Sequence, residues 1–113
     1  MPVSKELVAA SATPIILSLL ACGENYGYAI IKRVKELSGG EMTWTDGMLY
    51  PVLHRLESQG LIASRWRVSE IGRKRKYYYL HKRGLNALKR YRKEWLMVFS
   101  TLNKVWEESP CLT

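Results

Sequence analysis

The sequence is short of the residues from which enzymes and metal sites are built. Its only two cysteines, Cys22 and Cys111, are far apart and suggest no disulfide framework, which is typical of the reducing cytosol. Neither has zinc-ligand spacing to His54 or His81, and no paired carboxylates, phosphate-binding glycine loop or nucleophile–base set stands out. A Cys22–His54 dyad is left open, but free cysteine is among the most buried residue types, so we expect Cys22 to be a small core residue. We therefore expect a cytoplasmic protein that is not an enzyme and needs no metal or cofactor.

Acidic residues are scarce in one part of the chain. The 113 residues include 18 Lys and Arg against 10 Asp and Glu, a net charge of +8. Residues 61–93 hold twelve of the basic residues but a single acid, Glu70. Such a cluster indicates an anionic partner, either nucleic acid or a membrane surface, and the alternative is a solvated basic face.

The sequence also lacks an apolar run long enough to cross a membrane. Its most apolar stretch, LVAASATPIILSLLAC at residues 7–22, resembles a secretory signal, and LLAC resembles a lipoprotein cleavage site. However, this stretch is too short to span a bilayer, and the single positive charge before it, Lys5, is offset by Glu6. The remaining chain has too few apolar helices to form a core without it. We therefore assign residues 7–22 to the folded domain and expect no membrane partner.

The first half of the chain predicts two helices. The first covers some of residues 5–22, and Pro14 leaves two possibilities: Thr13 caps a helix that begins at Pro14, or a longer helix is kinked there. A turn in ENYG precedes a second helix over residues 27–37, which the segment SGG ends. Residues 42–44 are a candidate short strand.

A third helix is predicted to begin near residue 46, and Gly60 stops it. Leu49, Leu53 and Leu56 fall on one face at helical spacing. Thr45 or Asp46 is the expected N-cap, because a short side-chain oxygen can accept a hydrogen bond from a free first-turn N–H.

The outer face of this third helix contains a proline. If Asp46 is the cap, Pro51 loses only the bond to the carbonyl of Gly47, close to the helix start, so the usual interior cost of ~3 kcal/mol should be reduced. The first turn should therefore bend away from the helix axis, giving a surface shaped for contact. The residues that we assign to this contact surface are Thr45, Gly47, Met48, Tyr50, Pro51, His54 and Arg55.

Two alternating strands follow, LIASRWRV at residues 61–68 and KYYYL at residues 76–80, with Gly72 at the tip between them. Four successive cations, Arg73, Lys74, Arg75 and Lys76, lie beside that tip. A basic hairpin directly after a third helix is the winged helix-turn-helix order, in which the third helix enters the DNA major groove. We therefore predict a mainly α fold with a small β-hairpin, with residues 1–81 as the DNA-binding domain.

The last predicted helix, residues 82–108, is longer than the domain needs, and residues 109–113 form a tail. Apolar side chains recur along it at a spacing of three and four, which is a heptad seam. Phe99 and Trp106 widen this seam. The seam residues are Leu88, Tyr91, Trp95, Val98, Leu102 and Val105. We expect the seam and Trp106 to form a homodimer interface with a second copy of the chain; the alternative is that the seam folds back on the chain's own core.

Several segments resemble the PadR family of bacterial transcription regulators. They are MLYPVLHRLESQGLI, GRKRKYYYL, the KRG that opens the last helix, and NYGYAIIKRVKELSGGEM. The resemblance implies a winged helix that dimerises through its last helix with help from its first. Members mostly repress genes, and many release DNA on binding small aromatic or toxic compounds. His81 stands where family members often have threonine, which should weaken the cap of the last helix.

The resemblance also implies a site for a small planar aromatic effector. Some short members of the family carry a tryptophan of the last helix in a cavity at the dimer axis, and alignment through KEW makes that residue Trp95. Phe99, one turn later, is assigned to the same site, and paired indoles can stack on a flat ligand. The alternative is that Trp95 simply fills the interface.

These features together predict a dimeric, sequence-specific regulator of a double-stranded DNA operator, most simply a repressor. The competing prediction is a winged helix that binds another protein, against which the basic cluster argues.

Overall fold

The computed structural model describes residues 2–108 and Cys111, so most of the predicted 109–113 tail lies outside the described residues. Seven helices and strands follow one another along the described chain. They are α1 (Lys5–Ala21), β1 (Asn25–Tyr26), α2 (Gly27–Leu37), α3 (Asp46–Ser58), β2 (Ile62–Val68), β3 (Lys74–Leu80) and α4 (Lys82–Glu108). The predicted mainly helical fold with a small hairpin and a long last helix is confirmed.

Helix α1 is the longer of the two predicted possibilities and runs through Pro14. Ser4 caps it by accepting a hydrogen bond from the Leu7 N–H at 3.3 Å. Thr13 is not a cap but a buried residue inside the helix. The helix is long because its apolar face, including Ile16 and Leu17, is fully buried in the core, and this burial outweighs the bond lost at Pro14.

Two sequence predictions about short segments were wrong. The ENYG segment contains strand β1, which pairs antiparallel with β3 through Asn25 and Tyr26. Residues 42–44 do not form a strand. The Met42 N–H donates to the Ser38 Oγ at 2.9 Å, and Trp44, only 6% exposed, enters the core, so this segment anchors the loop before α3.

The core surrounds the apolar face of α3. Leu49, Leu53 and Leu56 are fully buried, and the side chains of α2, such as Ile30, pack in the same cluster as Ile62 of β2. Thr45 is the N-cap, and its Oγ1 accepts from the Met48 N–H at 3.2 Å. Packing on both sides therefore fixes how α3 presents its outer face.

The three-stranded sheet has the order β1-β3-β2. The register pairs Ile62 with Leu80 and Val68 with Lys74, so β3 begins two residues before the predicted Lys76. The basic run therefore lies mostly along a strand, and the tip is the short turn around Gly72, whose φ of +79° suits glycine.

Helix α4 begins close against the hairpin and then leaves the domain. A Cβ at Gly84 would collide with the Leu61 carbonyl oxygen and lie 2.8 Å from the Leu80 Cδ1, so this close approach requires glycine. Leu88 and Tyr91 are partly buried against the core, whereas the distal half is exposed. Among the described residues, none of the helices combines the length and the apolar composition that a membrane-spanning segment requires.

Candidate nucleic-acid interface

One groove brings the third helix, the hairpin and the start of α2 together. Its volume is about 560 Å³. It combines aromatic rings with the four cations that the sequence placed near the hairpin tip. Its lining comprises Tyr26, Gly27, Tyr28, Tyr50, His54, Trp66, Arg73, Lys74, Arg75, Lys76 and Tyr78. Two surfaces that are separate in sequence, the outer face of α3 and the basic run, therefore form one continuous surface.

The two α3 side chains in this groove differ in burial. His54 is exposed, whereas Tyr50 is half-buried and packs against the core. A Cβ at Gly27 would lie 2.8 Å from the Tyr50 Cζ, so α2 starts directly against the Tyr50 ring. Tyr50 therefore serves the packing of α2 on α3 while its edge borders the groove, and His54 is the more available group.

Arg55 lies on another side of α3. Its Nη2 donates to the Thr13 Oγ1 of α1 at 2.9 Å. Thr45, Met48 and Arg55 line a second cavity of about 620 Å³ between α1 and α3. The predicted contact surface is thus divided: Tyr50 and His54 line the first groove, Gly47 and Pro51 are exposed, and Arg55 is held by α1.

The hairpin presents different cations on its two faces. Lys74 and Lys76 lie opposite Val68 and Trp66, and therefore share the face that contains the buried Tyr78. Arg75 belongs to the other face, where its guanidinium carbon lies 4.4 Å from the centroid of the Tyr26 ring.

Two arginines of β2 extend this second face. Arg65 lies over Tyr79 at 5.3 Å, and Arg67 lies over Tyr77 at 5.0 Å. The Glu24 carboxylate, from the loop after α1, accepts hydrogen bonds from both guanidinium groups. The sequence does not predict this cluster, because Glu24 is some forty residues away from the two arginines and reaches the sheet through the pairing of β1 with β3.

Charge on the α3-side face is only partly compensated. The Lys76 Nζ lies 3.8 Å from the Glu57 Oε1, and Glu57 also accepts from the Ser64 Oγ. Within the described residues, Arg73 and Lys74 have no carboxylate within ion-pair distance. Burial raises the pKa of the Tyr78 hydroxyl, and the nearby Glu57 carboxylate and Tyr50 add to that shift. The hydroxyl therefore stays neutral, and the net charge of this face stays positive at neutral pH.

A third, apolar groove of about 480 Å³ lies between α1 and α4. The predicted effector residues Trp95 and Phe99 line it together with Leu88 and Tyr91 of the predicted seam. Leu88 and Tyr91 are partly covered by their own chain, whereas Val98, Leu102, Val105 and Trp106 are exposed. The fold-back alternative thus describes the start of the seam and not its distal part.

The described residues contain no candidate metal-binding site. Among residues 2–108 and Cys111, no three His, Cys, Asp or Glu side chains are grouped so that they could hold an ion. Cys22 is exposed rather than a core residue, which is contrary to the sequence prediction, because it follows the last turn of α1.

Known proteins resemble the chain along most of its length. A transcriptional regulator from Clostridium thermocellum superposes with a TM-score of 0.81 at 30% identity, covering 90% of this chain and 96% of that one. A PadR-like transcriptional regulator from Bacillus cereus superposes with a TM-score of 0.83 at 27% identity, covering 93% and 100%.

One curated relative matches a shorter region. Transcriptional regulator YqjI from Escherichia coli strain K12 is 37% identical over 51 residues, which are 45% of this chain and 25% of that protein. The chain thus matches about a quarter of that relative's length. Residues 16–90 match the transcriptional regulator PadR-like family, which is a family of regulators and not of enzymes. The chain therefore belongs to the PadR-like family of transcriptional regulators.

Proposed function

We propose that the protein is a homodimeric cytoplasmic repressor that binds a double-stranded DNA operator and is released by a small planar aromatic ligand. The observation that carries the proposal is the groove in which Tyr50 and His54 of α3 meet the basic run of the hairpin. In a winged helix, the third helix reads base edges in the major groove while the hairpin contacts phosphates, and both contacts require one continuous basic surface.

Each part of the groove has a separate task. The exposed His54 can donate a hydrogen bond to a purine N7 or O6 atom, and the Tyr50 hydroxyl can reach a base edge or a phosphate. Arg73 and Lys74, which have no carboxylate partner among the described residues, are the cations best placed to replace counterions on the DNA. Arg55 is a weaker candidate for DNA contact than Tyr50 or His54, because its guanidinium already donates a hydrogen bond to Thr13 of α1.

The proposed dimer depends on the distal half of α4. Residues 95–99, WLMVF, are all apolar and exposed, and five successive residues cover every side of a helix. Such a turn needs partners on more than one side, and α1 of the same chain supplies only the groove beside Trp95 and Phe99. A second copy, related by a twofold axis, would cover the seam and present its own α3 about one helical turn, ~34 Å, along the DNA.

The proposed ligand site is the groove between α1 and α4. Its volume of about 480 Å³ suits a small aromatic molecule, and its lining is almost entirely apolar. A flat ligand stacked on Trp95 would change how the paired helices cross, and so the separation of the two α3 helices. Such coupling between ligand and DNA is typically ~1–3 kcal/mol.

DNA binding can be tested by fluorescence anisotropy with duplexes that tile the region upstream of the protein's own gene. We expect His54→Ala to lower the ratio of specific to nonspecific affinity, because a base contact is lost and phosphate contacts remain. His81→Ala is the matched control, since His81 is also exposed but does not line the groove. A protein that binds no duplex would overturn the proposal in favour of a protein-interaction module, and an unchanged ratio would remove His54 from base readout.

Ligand binding requires a separate titration. Planar aromatic dyes should quench the tryptophan fluorescence of the native protein and of Trp106→Ala, but much less that of Trp95→Ala, because Trp95 lines the groove. Equal quenching in all three proteins would place the dye elsewhere. If the dye binds beside Trp95, release of a bound duplex on addition of the dye would show that this site is coupled to DNA binding.

A further inference from the structure

The hairpin exposes a row of apolar side chains that phosphate binding leaves unused. Trp66, Val68 and Ile71 are 66%, 65% and 77% exposed. A single exposed apolar residue is ordinary on a soluble protein, but several neighbours on one small element indicate an interaction surface. We call these three residues the apolar column.

Cations accompany Trp66 and Val68 of the apolar column on one face of the hairpin. The strand register places Trp66 opposite Lys76 and Val68 opposite Lys74, and directly opposed residues share one face of a sheet. Ile71 belongs to the turn that returns the chain to β3. The hairpin therefore carries Trp66 and Val68 on β2 beside Lys76 and Lys74 on β3, and Ile71 lies in the turn between the two strands.

Two neighbouring columns of this kind match the chemistry of a DNA strand. Along each strand an apolar deoxyribose ring alternates with an anionic phosphate, so phosphates can meet the lysines while sugars meet the apolar column. Trp66 lines the same groove as Tyr50 and His54, which makes the column continuous with the proposed DNA surface. Charge complementarity and this continuity favour DNA over a separate protein partner.

We propose that Trp66, Val68 and Ile71 pack on the deoxyribose rings of the DNA strand whose phosphates bind Lys74 and Lys76, with Ile71 reaching the edge of the minor groove. The inference rests on the proposed DNA-binding function and adds a contact to it. Because this contact is apolar, it contributes affinity that salt does not screen, whereas the lysine contacts weaken as salt rises.

Salt dependence separates the two kinds of contact. The affinity of the full-length protein for a mixed-sequence duplex is measured across a range of salt concentrations. Trp66→Ala should weaken binding about tenfold at every salt concentration, since one large aromatic side chain loses its contact. Lys74→Ala should instead reduce the slope of log affinity against log salt by about 0.9. Tyr79→Ala is the control, because Tyr79 lies on the opposite face of the hairpin under Arg65.

A second variant and a direct readout guard against a folding defect. Val68→Thr keeps the side-chain shape and strand propensity but replaces a methyl group by a hydroxyl, and should weaken binding about twofold to threefold without changing the slope. In addition, DNA should protect the native protein from acrylamide quenching more than it protects Trp66→Phe, because only the native protein has an indole in the contact.

The outcomes are distinct. Unchanged affinity in both variants, or an indole equally open to acrylamide with and without DNA, would overturn the apolar contact and leave the column available to a protein. A loss of affinity accompanied by a flatter slope would mean that Trp66 acts only by positioning Lys76, which would also overturn it. Failure of the native protein to bind any duplex would overturn the proposed function together with this inference.

Discussion

Helix α3 and the distal half of α4 both have apolar side chains at helical spacing, but those of α3 are buried and those of α4 are exposed. Leu49, Leu53 and Leu56 of α3 are fully buried, because α1, α2 and the sheet close around them. Val98 and Leu102 of α4 recur at similar spacing, yet they are 53% and 42% exposed. The comparison shows that helical periodicity identifies a face that requires burial, whereas the number of neighbouring elements decides whether one chain can bury it.

The two regions meet at the start of α4. Gly84 allows the helix to contact the Leu61 carbonyl, and Leu88 and Tyr91 then complete the packing against the core. Beyond Tyr91, α4 continues for more than four turns, over which α1 borders it at the groove beside Trp95 and Phe99 and most of its side chains are exposed. The completed fold therefore fixes the direction in which the exposed half projects, which in turn would fix the geometry of a dimer.

The largest effect should come from placing a charge in the exposed region. Leu102→Asp should convert the proposed dimer into monomers, because the twofold axis would bring two carboxylates together in an apolar contact. Sedimentation at micromolar concentration measures this change. The fold of the winged-helix part should persist, since Leu102 contacts little of its own chain.

Thr101→Asp is the matched control for that variant. It adds the same charge one residue away, at an exposed position outside the predicted seam. A dimer that survives Leu102→Asp would exclude the seam as its contact, and loss of the dimer in both variants would mean that charge alone prevents association.

A smaller effect is expected from the buried region. Leu53→Ala should lower the free energy of unfolding by about 2–5 kcal/mol, because it leaves a cavity among fully buried side chains. The same change at Leu7, which is 54% exposed on α1, should alter it by no more than about 0.5 kcal/mol. Denaturant unfolding measures both values, and equal losses would contradict the contrast between closed and open apolar faces.

Local sequence patterns predicted most of the helices and strands but not the contacts between segments that are distant in the sequence. The leucine spacing of α3, the cap at Thr45 or Asp46 and the alternation of β2 all depend on neighbours in sequence; the structure has the spacing and the strand, and it selects Thr45 as the cap. Strand β1 was missed because two residues carry no periodicity and form a strand only through β3. The hydrogen bond from Arg55 to Thr13 was not predicted, because the two residues are 42 positions apart in the sequence.

The same reasoning applies to the groove. The α3 side chains and the cations of the groove were predicted separately from the sequence, and the fold brings them together. Trp66 was placed on a strand from its alternation, but alternation does not tell whether a face is covered, and here the face beside Lys76 is open. Contacts within a short segment can therefore be predicted from sequence, whereas contacts between distant segments need the structure.

The smallest effect concerns Tyr78, where the closed region borders the groove. Its pKa is raised from 10.0, chiefly by burial and further by Glu57 and Tyr50, so the folded protein favours the neutral hydroxyl. As pH rises above about 10, the unfolded chain releases this proton first, and stability falls progressively until the folded-state pKa is passed. Tyr78→Phe should remove this part of the decline, whereas Tyr79→Phe, on the other face, should not. The unfolding free energies of the two variants and the native protein are compared between pH 8 and pH 11. The comparison cancels the titration of the other tyrosines and the lysines, which all three proteins share. Identical declines in all three proteins would show that Tyr78 is as hydrated as an ordinary surface tyrosine.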